Sequence, residues 1–211
     1  RMVDAVTFLF RNFLLWLHNN MAKKYDEARA EFERHLPDDV DRVVWIHELC
    51  QCSEKKRFET DFPELAETVR FKPAVMLGEL VHIACERWGL EYTPSIYSKR
   101  IELKDETVIV AGMPDYVSKS LSTVVDFKYS ANIGSEPLRH HRLQVALYKW
   151  LCNVENGEIW YFTHDAFKAF PVTDTVDEGK VKWIITDEKA PRWMDWECKY
   201  CEFRQLCRYG A

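Results

Sequence analysis

The run Val124-Val125-Asp126-Phe127-Lys128, with Asp115 eleven residues before Asp126, decides how this chain folds. Val124 and Val125 read as a buried strand. Side chains along a strand alternate faces, so Asp126 and Lys128 point the same way. An apolar strand thus ends in a carboxylate and an ammonium side by side. A second carboxylate arrives from the preceding strand, in Ala111-Gly112-Met113-Pro114-Asp115. Two carboxylates suit a hard divalent cation, which takes oxygen ligands. A lysine beside them positions water and offsets charge that builds on a phosphate, so the set suits metal-assisted phosphodiester hydrolysis. Taken alone, the pair is also what a solvated strand end carries. The rest of the chain turns that balance.

Working outward, strands are expected at about 96–103, 107–114 and 122–128. A helix at about 138–152 follows, then a turn at Asn156-Gly157, strands at about 158–163 and 168–172, and a helix near 176–187. Upstream, Pro73 suits a helix first turn, and that helix runs to about Trp88, closed by Gly89 and Pro94. Residues 4–35 read as helix, broken by Pro37-Asp38-Asp39. Arg42 to Ile46 is a short β-like run. A helical stretch then carries Cys50 and Cys52 and ends near Pro63. The order implies an α/β fold, a mixed β-sheet flanked by helices.

The chain of 211 residues is 47% apolar and 14% aromatic, ample for one core. Its net charge of −5 argues against binding nucleic acid by bulk charge, though not against a local basic groove. Basic residues recur near the carboxylates, at Lys128, Arg139, Arg142 and Lys149, and near the last cysteines, at Arg192, Lys199, Arg204 and Arg208. Ala5 to Leu17 is very apolar but too short to span a bilayer. Val6, Leu9, Phe10, Phe13, Leu14, Leu17 and Met21 form one helical stripe, expected to pack on the domain. No small-residue cleavage site follows, so the expected location is the cytoplasm, with no membrane contact.

Two helices carry further candidates. Gln144 and Tyr148, four residues apart, share one face of the helix at 138–152. On the helix from Pro73, His82 shares a face with Gly78 and Glu86. Seven cysteines, Cys50, Cys52, Cys85, Cys152, Cys198, Cys201 and Cys207, make an odd count that argues against a disulfide framework. Cys198-Lys-Tyr-Cys201, with Cys207 six residues on, is a metal or cluster signal. Such a site wants a fourth ligand, for which Cys50 and Cys52 are the candidates. Zinc is the generic occupant. Cys85 and Cys152 sit in apolar helices and read as small buried hydrophobes.

The order Gly78-x-x-x-His82, Gly112-x-x-Asp115, Asp126-x-Lys128, Gln144-x-x-x-Tyr148 resembles the RecB-like branch of the PD-(D/E)XK nucleases, over about residues 70 to 165. A distant N-terminal cysteine and a C-terminal triplet around that core resemble the iron–sulfur nucleases, and the length matches the CRISPR-associated Cas-four exonucleases. His47 to Lys56, leading to Pro63-Glu64-Leu65, is similar to that family's N-terminal cysteine region. Ser53-Glu54 stands where the family often has Pro-Arg, which leaves Cys50 or Cys52 open; the distance to Lys55 and Pro63 favours Cys52. The resemblance implies a helical region over 1–69 with one cluster cysteine, a nuclease core over 70–190 and a cysteine tail over 191–211. It implies a deoxyribonuclease acting mainly on single-stranded DNA, trimming ends for CRISPR spacer acquisition beside the spacer-integration complex. Asp115 and Asp126 would hold Mg²⁺ or Mn²⁺, with His82 and the Phe127 carbonyl as further ligands. Lys128 would orient water, and Gln144 and Tyr148 would orient Lys128 or grip the backbone. Cys52, Cys198, Cys201 and Cys207 would bind an iron–sulfur cluster, 4Fe-4S or 2Fe-2S. The alternatives are an iron–sulfur repair nuclease outside CRISPR and a non-catalytic DNA-binding subunit.

Overall fold

The computed structural model describes residues 2–70, 72–86 and 95–210. Two small sheets share the work that one sheet was expected to do. The first has the order β1-β3-β2, built from β1 (Arg42–Trp45), β2 (Tyr97–Glu102) and β3 (Thr107–Gly112). β3 is its middle strand, antiparallel to β2 and parallel to β1. Val108, Val110 and Ala111 on β3 are fully buried, as an inner strand of a covered sheet requires. The second sheet has the order β4-β5-β6-β7, from β4 (Tyr116–Ser118), β5 (Thr123–Tyr129), β6 (Asn156–Phe162) and β7 (Phe167–Pro171). β5 is antiparallel to β4 and parallel to β6. The chain crosses from one sheet to the other through Met113-Pro114-Asp115, so Asp115 stands at the seam.

The parallel step from β5 to β6 needs a crossover, and α6 (Arg139–Cys152) supplies it. Its Val145, Leu147 and Leu151 are buried beneath both sheets, in one core with Val110, Val124 and Ile159. Gly157 on β6 has no room for a side chain: a Cβ there would come within 2.5 Å of Val145. α5 (Pro73–Glu86) covers the other side of β5, and α1 (Met2–Arg34) lies against α5, with Leu17 and Met76 buried between them. Of the expected apolar stripe, Leu14 packs there too, while Phe13 is exposed. The side chains of Val6, Leu9, Phe10 and Met21, and the helix end assigned to Trp88, Gly89 and Pro94, lie outside the described residues.

Elsewhere the sequence reading needs correction. Cys50 and Cys52 are not inside a helix. They lie between α2 (Ile46–Leu49) and α3 (Ser53–Asp61). α3 does end near Pro63, at Asp61, and Pro63 opens a further helix, α4 (Pro63–Arg70), because a helix first turn does not need the missing N–H. After β7 come α7 (Glu178–Thr186) and, in the tail, α8 (Glu197–Tyr200). No helix among the described residues is long and apolar enough to cross a membrane.

Candidate active site

The alternation of β5 does what the sequence requires. Lys128 Nζ lies 2.8 Å from Asp126 Oδ2, and Asp126 is only 2% exposed. That contact is an ion pair without a well-aligned hydrogen bond, and the buried Oδ2 has no other partner. Asp115 is fixed from two sides. Its Oδ2 accepts the Phe127 N–H at 2.7 Å, and its Oδ1 lies 3.2 Å from His82 Nδ1. The other ring nitrogen of His82 is 3.1 Å from the Phe127 carbonyl. α5 thus delivers His82, the seam delivers Asp115, and β5 delivers Asp126, Phe127 and Lys128 to one place.

The electrostatics separate the two carboxylates. Burial pushes Asp126 up, to about 6; Lys128 opposes this and Asp115 adds to it. Burial also acts to raise Asp115, but the His82 charge and hydrogen bond outweigh it, and Asp115 ends below the usual carboxylate range. Burial would lower His82, and Asp115 more than reverses that. Lys128 likewise resists burial through Asp126 and Asp115 and stays protonated. It is a donor here and not a base.

Gln144 and Tyr148 join this cavity from α6, as their spacing requires. Burial raises the Tyr148 hydroxyl well above its ordinary value, so it remains a donor. It reaches the Met113 carbonyl at 3.3 Å, with Gln144 Nε2 3.4 Å away. Tyr148 therefore props the segment leading to Asp115. It fits only because residue 112 is glycine: a Cβ there would lie 2.7 Å from the Tyr148 ring and 3.1 Å from Ile46. Gly112→Ala is expected to cost about 1–3 kcal/mol of stability, the usual cost of overpacking, and to displace Tyr148. Urea unfolding checks this; an unchanged midpoint would mean that the ring moves aside freely. Gly78 has no such constraint, since a Cβ there would meet Tyr129 at an ordinary 3.7 Å.

The cavity encloses about 590 Å³. Tyr25 and Arg29 from α1, Trp45 from β1 and His47 from α2 also line it. The Arg29 guanidinium lies 5.1 Å from the centre of the Trp45 ring, whose indole N–H donates to Glu33 at 2.9 Å. The sequence reading missed these residues. Although His47 opens the stretch read for its cysteines, all four reach the cavity by the packing of distant elements.

The cysteines sort themselves by environment. Cys52, Cys198, Cys201 and Cys207 line one small void of about 20 Å³, with Phe58 and Glu197. Burial raises the thiols of Cys52, Cys198 and Cys201, so they are neutral as they stand. Cys50 is not in that void. It is buried against the core, its thiol pushed up by burial to about 12, and it feels the charges of Lys128 and Asp126. Glu197, 6% exposed, joins the cysteine loop to the tail. It accepts the Cys52 N–H at 2.6 Å and the N–H groups of Arg192 and Trp193 at 2.9 and 3.0 Å. Phe203 on the tail is fully buried, stacked on Phe58 at 5.6 Å.

The donor sets differ in kind. Among the described residues no three His, Cys, Asp or Glu side chains stand in a geometry ready to hold an ion. At the carboxylates, Lys128, His82 and a backbone N–H occupy the positions a cation would compete for. The hard carboxylate oxygens of Asp115 and Asp126 fit a hard divalent metal. The four sulfurs around one void fit a thiophilic centre.

No protein-family model matches the chain. It is 26% identical over 191 residues to the CRISPR-associated exonuclease Cas4 of Saccharolobus solfataricus, an alignment that covers 85% of this chain and 94% of that one. The crystal structure of SSO0001 superposes with a TM-score of 0.78 at 24% identity, covering 96% of this chain and 98% of that one. The chain is thus similar over most of its length to a CRISPR-associated Cas4 exonuclease and shares the fold of SSO0001.

Proposed function

We propose that this chain is a metal-dependent DNA exonuclease that acts mainly on single-stranded DNA and trims ends for CRISPR spacer acquisition, working beside the spacer-integration complex. The observation that carries the reading is the meeting of Asp115, Asp126, Lys128 and His82 in one cavity, on a chain similar to an exonuclease over most of its length. Asp115 and Asp126 are the residues to hold Mg²⁺ or Mn²⁺, with His82 and the Phe127 carbonyl completing the set. When bound, the metal supplies Lewis-acid stabilisation of the phosphate. The protonated Lys128 donates to the attacking water and to the phosphate oxygen that gains charge. Gln144 and Tyr148 orient Lys128 or grip the DNA backbone, and Tyr148 also holds the Met113 carbonyl before Asp115. Cys52, Cys198, Cys201 and Cys207 are the ligands for an iron–sulfur cluster, which ties the segment before α3 to the tail. On this reading residues 70–190 form the nuclease core, between a helical region over 1–69 and the tail.

The test is cleavage of end-labelled single-stranded DNA by the pure protein. Product is expected with Mg²⁺ or Mn²⁺ and none in excess EDTA, because a site of a few carboxylate and carbonyl oxygens and one imidazole binds these ions reversibly. Full cleavage in EDTA would refute a metal-dependent site. No cleavage with either metal would favour a DNA-binding subunit.

A further inference from the structure

A second depression lies on the far side of α6. Successive helix residues turn by about 100°. Gln144 and Tyr148 face the nuclease cavity, whereas Arg139, Arg142, Leu143 and Ala146 line a cleft of about 410 Å³ on the opposite face, closed by α7 and the start of the tail. Five cations line it, against two carboxylates, on a chain whose net charge is −5. Some of that charge is already matched. Arg142 makes a two-pronged contact with Asp174 at 2.8 and 2.9 Å, and Arg139 pairs with Asp195 at 2.8 Å, mostly in solvent. Lys180 and Lys189 are exposed and form no ion pair among the described residues.

Trp183 lines the same cleft. It is 51% exposed, on a helix that buries Val181 and Ile184. The Lys180 ammonium lies 3.8 Å from the centre of its ring. Trp193 also lines the cleft, with Arg139 over its ring at 5.6 Å. A half-exposed indole with one ammonium against its ring and a second exposed ammonium in the same cleft is chemistry that holds single-stranded nucleic acid, in which bases stack on the free side of rings and phosphates meet cations. An acidic peptide would use the lysines but leave the ring without a stacking partner.

We infer that this cleft is an exosite for single-stranded DNA, in which Trp183 stacks a base and Lys180 and Lys189 hold the flanking phosphates. The inference rests on the nuclease reading for its ligand. It adds that a strand held in the cavity continues around α6 to a second point of grip.

The test is fluorescence anisotropy with labelled single-stranded oligonucleotides of about 4 and about 16 nucleotides, the span of common single-strand site sizes. All proteins carry Asp126→Ala, so that the strand survives. Trp183→Ala is expected to weaken the long strand at least about fivefold, the low end of losing one stacked base, and to leave the short one unchanged. Lys180→Glu with Lys189→Glu touches only exposed side chains. It is expected to weaken the long strand and to flatten the slope of log Kd against log salt by about 1.4, two lost contacts on a single strand. Equal affinities for the long strand in all three proteins would overturn the exosite. So would a polyglutamate peptide that displaces the long strand and loses affinity in the double-lysine variant alone. Failure of the nuclease reading shows elsewhere, as absence of cleavage by the parent chain.

Discussion

Asp126→Ala protein is expected to cleave single-stranded DNA at least about a hundredfold more slowly than the parent chain, and Lys128→Ala to match it, judging by what the loss of one preorganised charged group costs. The fold should survive. Burial already disfavours the Asp126 charge, so removing that charge relieves like-charge repulsion with Asp115. Asp126→Asn keeps the volume as well and is expected to melt close to the parent. Lys128→Ala is expected to melt lower, because it leaves two close carboxylates with one cation fewer. DNA binding should hold or tighten in Asp126→Ala, where a negative charge near phosphate is gone. A solvated strand-end ion pair would behave differently, with a stability change within about 1 kcal/mol and normal activity. Cleavage and melting therefore have to be read on the same preparations. Parent-level cleavage by Asp126→Ala would end the assignment of catalysis to this cavity.

The second large effect concerns colour. Protein purified without oxygen is expected to be brown, and Cys52→Ala to bleach it, while Cys50→Ala stays coloured. The reason is position: Cys52 shares a void with Cys198, Cys201 and Cys207, whereas Cys50 is in the core behind the carboxylates. A cluster held by thiolates loses a ligand in one case and none in the other. Iron and sulfide analysis beside the visible spectrum makes the measurement quantitative. A colourless parent with stoichiometric zinc would overturn the cluster. Bleaching by Cys50→Ala alone would exchange the roles of the two cysteines.

Much of the candidate site was legible in the sequence because strand alternation is a strict rule. Asp126 and Lys128 had to share a face, and they do. Helix spacing in the same way brought Gln144 and Tyr148 to one side of α6. The split into two sheets was not legible. β4 has three residues, Tyr116–Ser118, too few to show a period. Its presence turns the segment after β3 into a passage between sheets, which is what sets Asp115 against Phe127. Nor was the contact of Tyr148 with Met113 legible: it depends on how closely the ring approaches Gly112 in the folded chain. Arg29 and His47 were missed for another reason. His47 opens a stretch read for its cysteines, and the place of both residues in the cavity comes from tertiary packing.

The Glu197 clasp has a consequence for how the protein is put together. The tail is seated by one carboxylate gripping three backbone N–H groups and by Phe203 against Phe58, none of which involves sulfur. Charge-assisted bonds to buried backbone donors are among the stronger polar contacts. The four cysteines therefore border one void through contacts that need no metal ion. On the proposed reading, cluster loading would be separable from folding. A cluster-free chain should then be compact and resist proteases at the tail.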